Sequence, residues 1–297
     1  MQFFPAGSPE FWTNLWEKAQ HSSLIKKRRH RTETEMIEMW NNRAKEFANN
    51  TNKNEGQKRR HTVLDFLEEE GALQEGFKVL DIGAGPGNFA IPMARIASQV
   101  TALEPASEMV KILQERTAAE HLGNIKIIQR TWQEVDVEKE GLAGQFDLVF
   151  ASMTPGVQDP ETLKKMIKAS RGYCYLSCFS GHRLGKAIRE LWQLFYDEDI
   201  GDNPNDVIYP FGLLYSMGYR PNLRFTTRQR VHEQSIEEAV ENIIEFFENY
   251  MDISASVKAN IENYVKKHAE NGTFRQKINS CSGMMLWQVN GAATGHL

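Results

Sequence analysis

The sequence predicts an α/β protein built on a doubly wound, mostly parallel sheet. Two observations carry that expectation. The first is Phe77–Asn88, an apolar run that ends in Asp81 and then breaks into Gly83, Gly85 and Gly87 at alternate positions. The second is the alternation that follows. Apolar runs near 77–82, 99–103, 125–129, 146–151 and 172–179 are separated by helix-like stretches near 88–97, 107–121 and 160–170. Strands alternating with helices imply right-handed crossovers and helices on both faces of a parallel sheet.

Val79, Leu80 and Ile82 suit a buried parallel strand. The glycines allow a tight turn and close approach of the backbone to a ligand. A helix starting at Asn88 would turn its free amides toward the same ligand. The spacing is not the dinucleotide fingerprint, Gly-x-Gly-x-x-Gly with an acid about twenty residues on. It is Asp-x-Gly-x-Gly-x-Gly, with the acid at the strand end, where it would repel a pyrophosphate. Val100–Glu104 reads as a second strand ending in an acid, and such a carboxylate accepts hydrogen bonds from both hydroxyls of a ribose. Two acids around a glycine loop favour a ligand with a ribose, a cationic centre and no phosphate. S-adenosylmethionine meets that description and NAD does not, which counts against an NAD(P)-linked oxidoreductase.

On these residues, 77–180 resemble the core of the class I S-adenosylmethionine-dependent methyltransferases. Val79–Gly87 is similar to the family's first motif, Glu104-Pro105-Ala106 with Met109 to the second, and Phe146–Ser152 to the fourth-strand motif. The resemblance implies a seven-stranded Rossmann-like methyltransferase sheet that ends in an antiparallel pair. Leu223–Val231 and Met284–Val289 are the candidates for that pair. It also implies S-adenosyl-L-methionine as cofactor, held by Asp81, Gly83, Ala84, Gly85, Gly87, Asn88, Glu104 and Pro105. Met109 would pack on the adenine, and Ala151 and Ser152 would lie toward the reacting methyl. The family often carries an acid after the third strand, near the adenine amino group. Here Ile125–Gln129 is followed by Arg130-Thr131-Trp132-Gln133-Glu134, so Trp132 or Gln133 is the candidate contact.

Composition narrows the function classes. The chain has 297 residues, 41% hydrophobic and 25% charged, with a net charge of −4 that gives no global field favouring nucleic acid. Cys174 and Cys178 lie four apart in an apolar run, and no neighbouring Cys or His completes a tetrahedral set, so no metal is expected. No apolar run is long enough for a bilayer span and Met1–Pro5 carries no cleavable signal pattern, so a cytoplasmic location is the expectation.

The flanks read as additions to the sheet. Three segments are expected: 1–70 as a helical extension or lid, 71–181 as the cofactor-binding core, and 182–297 as the rest of the sheet with helical substrate-pocket insertions. Ser8-Pro9-Glu10 starts a first helix with Phe11, Leu15 and Trp16 on one face. Thr32–Ala48 is a second helix, Asn49–Gly56 a polar loop, and Thr62–Glu70 a third helix. Trp40–Phe47 resembles a W-x-x-R-A-x-x-F segment that helps cover the cofactor in small-molecule methyltransferases, which makes residues 1–60 a lid by analogy. The basic run Ile25–Arg31 invites a nucleic-acid reading. It lacks interleaved aromatics, however, and Glu33, Glu35 and Glu38 follow at once, so a solvated helix end is the plainer reading. Asp159-Pro160 starts the 160–170 helix. Arg183–Tyr196, Tyr209–Met217, Ser235–Tyr250 and Ala255–Glu270 are expected helices.

Methyl transfer from a sulfonium is an in-line displacement that demands alignment and exclusion of water, with a base only for a protonated nucleophile. At the fourth strand end, Ala151–Pro155 is neither the Asn/Asp-Pro-Pro-Tyr/Phe signature of nucleic-acid amino-methylating enzymes nor a site with a cysteine nucleophile. Ser152 and Thr154 can orient a polar substrate or simply satisfy local backbone. His182 is the best single candidate for a catalytic base or binding group, against the plainer reading of a surface histidine at a helix start. Arg183 and Tyr209 are weaker candidates. The sequence thus favours a methyltransferase with a small-molecule acceptor. The alternatives are an enzyme acting on RNA or protein and a methyltransferase-like module without activity.

Overall fold

The computed structural model describes residues 5–28, 32–51, 53–181 and 184–290. Five strands pair in parallel: β1 (Lys78–Ile82), β2 (Gln99–Leu103), β3 (Ile125–Ile128), β4 (Phe146–Ser152) and β5 (Ser170–Ser180). β6 (Asn222–Ser235) and β8 (Thr273–Gln288) complete the order β3-β2-β1-β4-β5-β8-β6, with the two-residue β7 (Ala269–Glu270) pairing β8 off that path. β8 is antiparallel to both β5 and β6. Apart from β7, this is the expected seven-stranded Rossmann-like sheet with a terminal antiparallel pair.

The helices are α1 (Pro9–Ser22), α2 (Leu24–Lys27), α3 (Glu33–Thr51), α4 (Asn54–Glu69), α5 (Ala90–Ala94), α6 (Ser107–Ala119), α7 (Pro160–Ala169), α8 (Lys186–Tyr196), α9 (Ile208–Ser216), α10 (Ile236–Phe247) and α11 (Ala255–His268). Alternate side chains of the strands feed two cores. Val79, Leu148, Phe150 and Tyr175 pack with α4 and α5 on one face, and Leu80, Val149 and Leu176 pack with α7 and α9 on the other. A third cluster joins α8, α10 and α11. Caps act where the sequence places them: Ser8 Oγ accepts from the Phe11 N–H at 3.1 Å, and Asp159 and Thr162 form a reciprocal capping box.

Three expectations need correction. The helix expected over 88–97 is the five-residue α5, because Pro92 has no N–H to donate to the turn before it. The stretch 49–56 is not a loop. α3 runs to Thr51 and α4 begins at Asn54. Gly56 makes that junction possible, since a Cβ there would stand 2.1 Å from the Thr51 carbonyl oxygen. The last strands are also longer than their apolar cores. Arg228–Ser235 pairs with Thr273–Ser280 beyond the end of β5, forming a polar two-stranded ribbon from which α10 and α11 hang.

Of the basic run, Arg28 pairs with Glu198 and lies 4.1 Å from the Tyr196 ring centroid, whereas Arg29, His30 and Arg31 lie outside the described residues. Among the described residues, no helix is long and apolar enough to cross a membrane.

Candidate functional site

The glycine loop is pinned at the carboxyl ends of β1 and β2. The Gly83 and Ala84 N–H groups donate to the Leu103 carbonyl at 2.8 and 3.0 Å. Gly83 has φ +73°, and a Cβ there would lie 2.1 Å from Thr154 Oγ1, so only glycine fits against the segment that follows β4. Two carboxylates sit around this turn. Glu104 accepts from the Gly85 N–H at 2.8 Å and from the Ala106 N–H at 2.9 Å. Burial pushes its pKa up, and those two N–H bonds oppose the shift. Asp81 is 2% exposed and its Oδ2 has no hydrogen-bond partner. Burial, and then the Glu104 charge, push its pKa up to about 8 against one N–H bond from Ala90.

Two repelling acids enclosed without a cation fit a ligand that brings positive charge and hydroxyl donors. They do not fit a polyphosphate. S-adenosylmethionine, with its sulfonium, ammonium and ribose, matches the residues present.

Helix α3 packs against this turn. Ala44 packs on Ala106 and Met109, flanked by Trp40 and Phe47. Phe47 Cε1 is 3.9 Å from the Cβ position of Gly85. Asn41 Oδ1 accepts from the Glu108 N–H at 3.0 Å, and Asn88 Nδ2 donates to Thr51 Oγ1 at 2.9 Å. The W-x-x-R-A-x-x-F residues thus divide by helical spacing: Trp40, Ala44 and Phe47 pack toward Ala106 and Met109, and Arg43 reaches Glu245 at 3.8 Å.

The other expected residues are placed as follows. Ala84 and Ala151 are buried, and Pro105 is half-buried. Gly87 packs against Leu113 and Ile91, which its absent Cβ would contact at 2.4 and 3.0 Å. Trp132 is 2% exposed in the core shared with Ile82 and Leu103, and its indole N–H donates to the Thr162 carbonyl at 3.2 Å. Gln133 is exposed, 3.4 Å from the Pro155 carbonyl oxygen. His182 and Arg183 lie outside the described residues. Tyr209 lines a recess of about 220 Å³ with Gly181, Asp202, Asn203, Asp206 and Ile208. Among the described residues, no group of three His, Cys, Asp or Glu side chains could hold a metal ion.

Toward β5 the site changes character. Ser152 Oγ accepts from Arg59 Nη2 at 2.6 Å and lies 3.0 Å from Ser177 Oγ. Next in the chain, Met153 takes φ +55° and donates its N–H to the Ser177 carbonyl at 2.9 Å. A side-chain-bearing residue in the left-handed region is uncommon, and here the Ser177 carbonyl holds it in place. The buried Tyr175 hydroxyl sits beside Ser177 and Ser152 without completing a hydrogen bond to either, and its pKa is pushed up to about 12 by burial. Burial holds the Arg59 guanidinium below its ordinary pKa, Tyr175 opposes the shift, and Arg228 adds to it. Sequence reading missed Arg59. The signal was a cation at i with Val63 at i+4 and Phe66 at i+7, on the helix face that enters the core.

Residues 79–173 match the family model described as a methyltransferase domain, leaving both flanks outside the match. A Methanosphaera stadtmanae protein named a probable ribosomal RNA small subunit methyltransferase A is 32% identical over 114 residues, 38% of this chain and 40% of that one. An uncharacterized Haemophilus influenzae protein is 28% identical over 202 residues, 67% of each chain. The chain thus spans less than half the length of the first relative and about two thirds of the second. The crystal structure of a candidate methyltransferase from Bacillus halodurans superposes with a TM-score of 0.51 over 76% of this chain and 98% of that one, at 13% identity, which shows a common fold.

Proposed function

From the match of residues 79–173 to a methyltransferase domain, we propose that the chain is a class I S-adenosylmethionine-dependent methyltransferase that transfers a methyl group to a small-molecule acceptor. One observation carries the reading. Asp81 at the end of β1, Glu104 at the end of β2 and the Ser152–Met153 turn at the end of β4 stand at three neighbouring strand ends, beneath the chain's own helices α3 and α4. When bound, the cofactor supplies an electrophilic methyl group on a sulfonium. Glu104 would hold the ribose hydroxyls and Asp81 would balance the positive end. The Gly83–Gly87 backbone and Asn88 would line the approach, and Met109 and Pro105 would flank the adenine. Residues 1–60 act as a lid in this proposal, excluding water through Trp40 and Phe47. Ala151 and Ser152 would face the methyl side, and His182 is the candidate base.

A second reading, methylation of RNA, is supported by the names of the Methanosphaera relative and of Shewanella relatives called 23S rRNA (uracil(1939)-C(5))-methyltransferase RlmD, 31% identical over 39% of this chain in one case. The net charge of −4 and the ion-paired Arg28 weigh against it.

Calorimetric titration with S-adenosylmethionine, S-adenosylhomocysteine and NAD is the direct test. Binding of both adenosyl ligands and not NAD supports the proposal, and binding of NAD alone defeats it. A labelled-methyl assay on small metabolites against total RNA then separates the two readings.

A further inference from the structure

Helix α4 lies along strand β6 as a ladder of charges. At one end Glu55 pairs with Arg230. At the other, Glu69 and Glu70 each take one nitrogen of Arg224 at 3.0 Å, and the Arg224 guanidinium also lies 4.0 Å from the Phe66 ring centroid. The rises agree. From Glu55 to Glu70 the helix climbs about 22 Å at roughly 1.5 Å per residue. From Arg230 to Arg224 the strand covers about 20 Å at roughly 3.4 Å per residue. Four residues up the helix from Glu55 is Arg59, and two residues back along the same strand face from Arg230 is Arg228. Both steps are close to 6–7 Å on those rises. Where the ladder should join an acid to a base, it therefore sets two arginines against each other, and their mutual repulsion is felt at Arg59.

Neither arginine has an ion pair with any described carboxylate. Arg59 spends one N–H on Ser152 Oγ, and the Tyr175 hydroxyl beside it has an unused donor. Partly buried like charges held together by a surrounding framework point to a missing counter-charge. A guanidinium pair matches a carboxylate or phosphate through its forked donors.

We propose that Arg59 and Arg228, with Tyr175 and Ser152 at their base, bind a carboxylate or phosphate group carried by the methyl acceptor. The assignment rests on the methyltransferase reading and adds the acceptor's chemical class to it. Position argues for the acceptor over the cofactor's own carboxylate. Arg59 itself stands near the glycine loop, 5.6 Å from the Phe89 ring centroid, but β6, which carries Arg228, stands four strand spacings from β1, about 19 Å, so an anion shared by both arginines is drawn away from the loop.

Inorganic phosphate is the probe, followed by calorimetry at low ionic strength on the wild-type chain, Arg59→Met and Arg228→Met. S-adenosylhomocysteine and 5′-methylthioadenosine, which lacks the amino-acid portion, are titrated in parallel. The proposal expects phosphate to bind the wild type, to weaken at least tenfold in each variant, and the two adenosyl ligands to change less than threefold. It is overturned if phosphate does not bind or ignores both substitutions. It is also overturned if Arg59→Met loses S-adenosylhomocysteine and keeps 5′-methylthioadenosine, which would make the cofactor's carboxylate the anion. Should Arg59→Met fail to fold by circular dichroism, Arg228→Gln on the partly exposed strand decides the same points. A wild type that binds no adenosyl ligand sinks the methyltransferase reading and the acceptor with it, and the phosphate arms then report a bare anion site.

Discussion

Two regions along the carboxyl ends of the strands hold opposite charge at least partly out of water. At the ends of β1 and β2, Asp81 and Glu104 repel one another with only backbone N–H groups to hold them. Across the sheet, Arg59 and Arg228 repel one another over β5 and β8. Each is a small local destabilisation that a ligand of the opposite sign removes. The difference teaches what each end selects. The acid end suits a cationic, hydroxyl-bearing molecule, and the arginine end suits an anion. A cationic cofactor and an anionic acceptor would thereby be sorted to their own ends before any fine contact is made.

The largest effect expected is from Gly83→Ala. The added Cβ meets Thr154 at 2.1 Å at a φ of +73°, which combines roughly 1–2 kcal/mol of backbone strain with about 1–3 kcal/mol of overpacking. S-adenosylmethionine affinity should fall by a hundredfold or more while phosphate affinity at the arginine end holds. Equal loss at both ends would show that the two are one unit.

Next come Asp81→Asn and Glu104→Gln, each expected to weaken S-adenosylmethionine by about 1.5–3 kcal/mol through lost charge-assisted bonds. The free Asp81→Asn chain should melt higher than wild type above pH 8, since a buried repulsion is gone. A variant that binds like wild type would remove that acid from the cofactor site.

The pH dependence sharpens the same contrast. Asp81 rises from an ordinary 3.8 to about 8 in the folded protein, so the native state holds a proton that the unfolded state has released. Stability of the free protein therefore falls as pH rises from about 4 to 8 and levels off beyond. A cationic ligand favours the ionised form, so its affinity should climb by up to about tenfold per pH unit below 8 and then plateau, with proton release visible by calorimetry in two buffers. Asp81→Asn should flatten both trends.

The smallest effects belong to the cover. Phe47→Ala should speed S-adenosylhomocysteine dissociation several-fold in stopped-flow measurements, because Phe47 lies over Gly85. Arg43→Ala breaks an exposed ion pair with Glu245 and should change stability by less than about 1 kcal/mol.

The acid end was readable because it is local. Val79–Gly87 and Glu104 lie within one strand–turn–helix–strand unit, where residue type and spacing carry the chemistry directly. The parallel sheet with helices on both faces followed from the alternation of apolar runs, and the terminal antiparallel pair from the family resemblance. What escaped depended on contacts distant in the chain. Asn49–Gly56 looks like a loop by composition, yet Gly56 lets α4 start almost on top of Thr51. The polar ends of β6 and β8 carry no apolar run to mark them, because they are strands by mutual pairing and not by burial. Arg59 carries no motif, and its meaning appears only when β6 is laid beside α4. A single proline shortened α5, a local effect that the glycine spacing overshadowed.

The position of β8 has a consequence for how the chain is made. It lies between β5 and β6 in the sheet, but it follows both in the chain. During synthesis the glycine loop and its acids are complete when β5 emerges, whereas β6 waits without a neighbour until β8 arrives. Until then two long strand edges stand open together, one of them bearing the exposed Phe225 and Val231. Exposed edges of that kind template aggregation. Nascent or truncated chains ending before Thr273 therefore present the most aggregation-prone form of this protein, and late insertion of a single strand both seals the sheet and brings Arg228 up to Arg59.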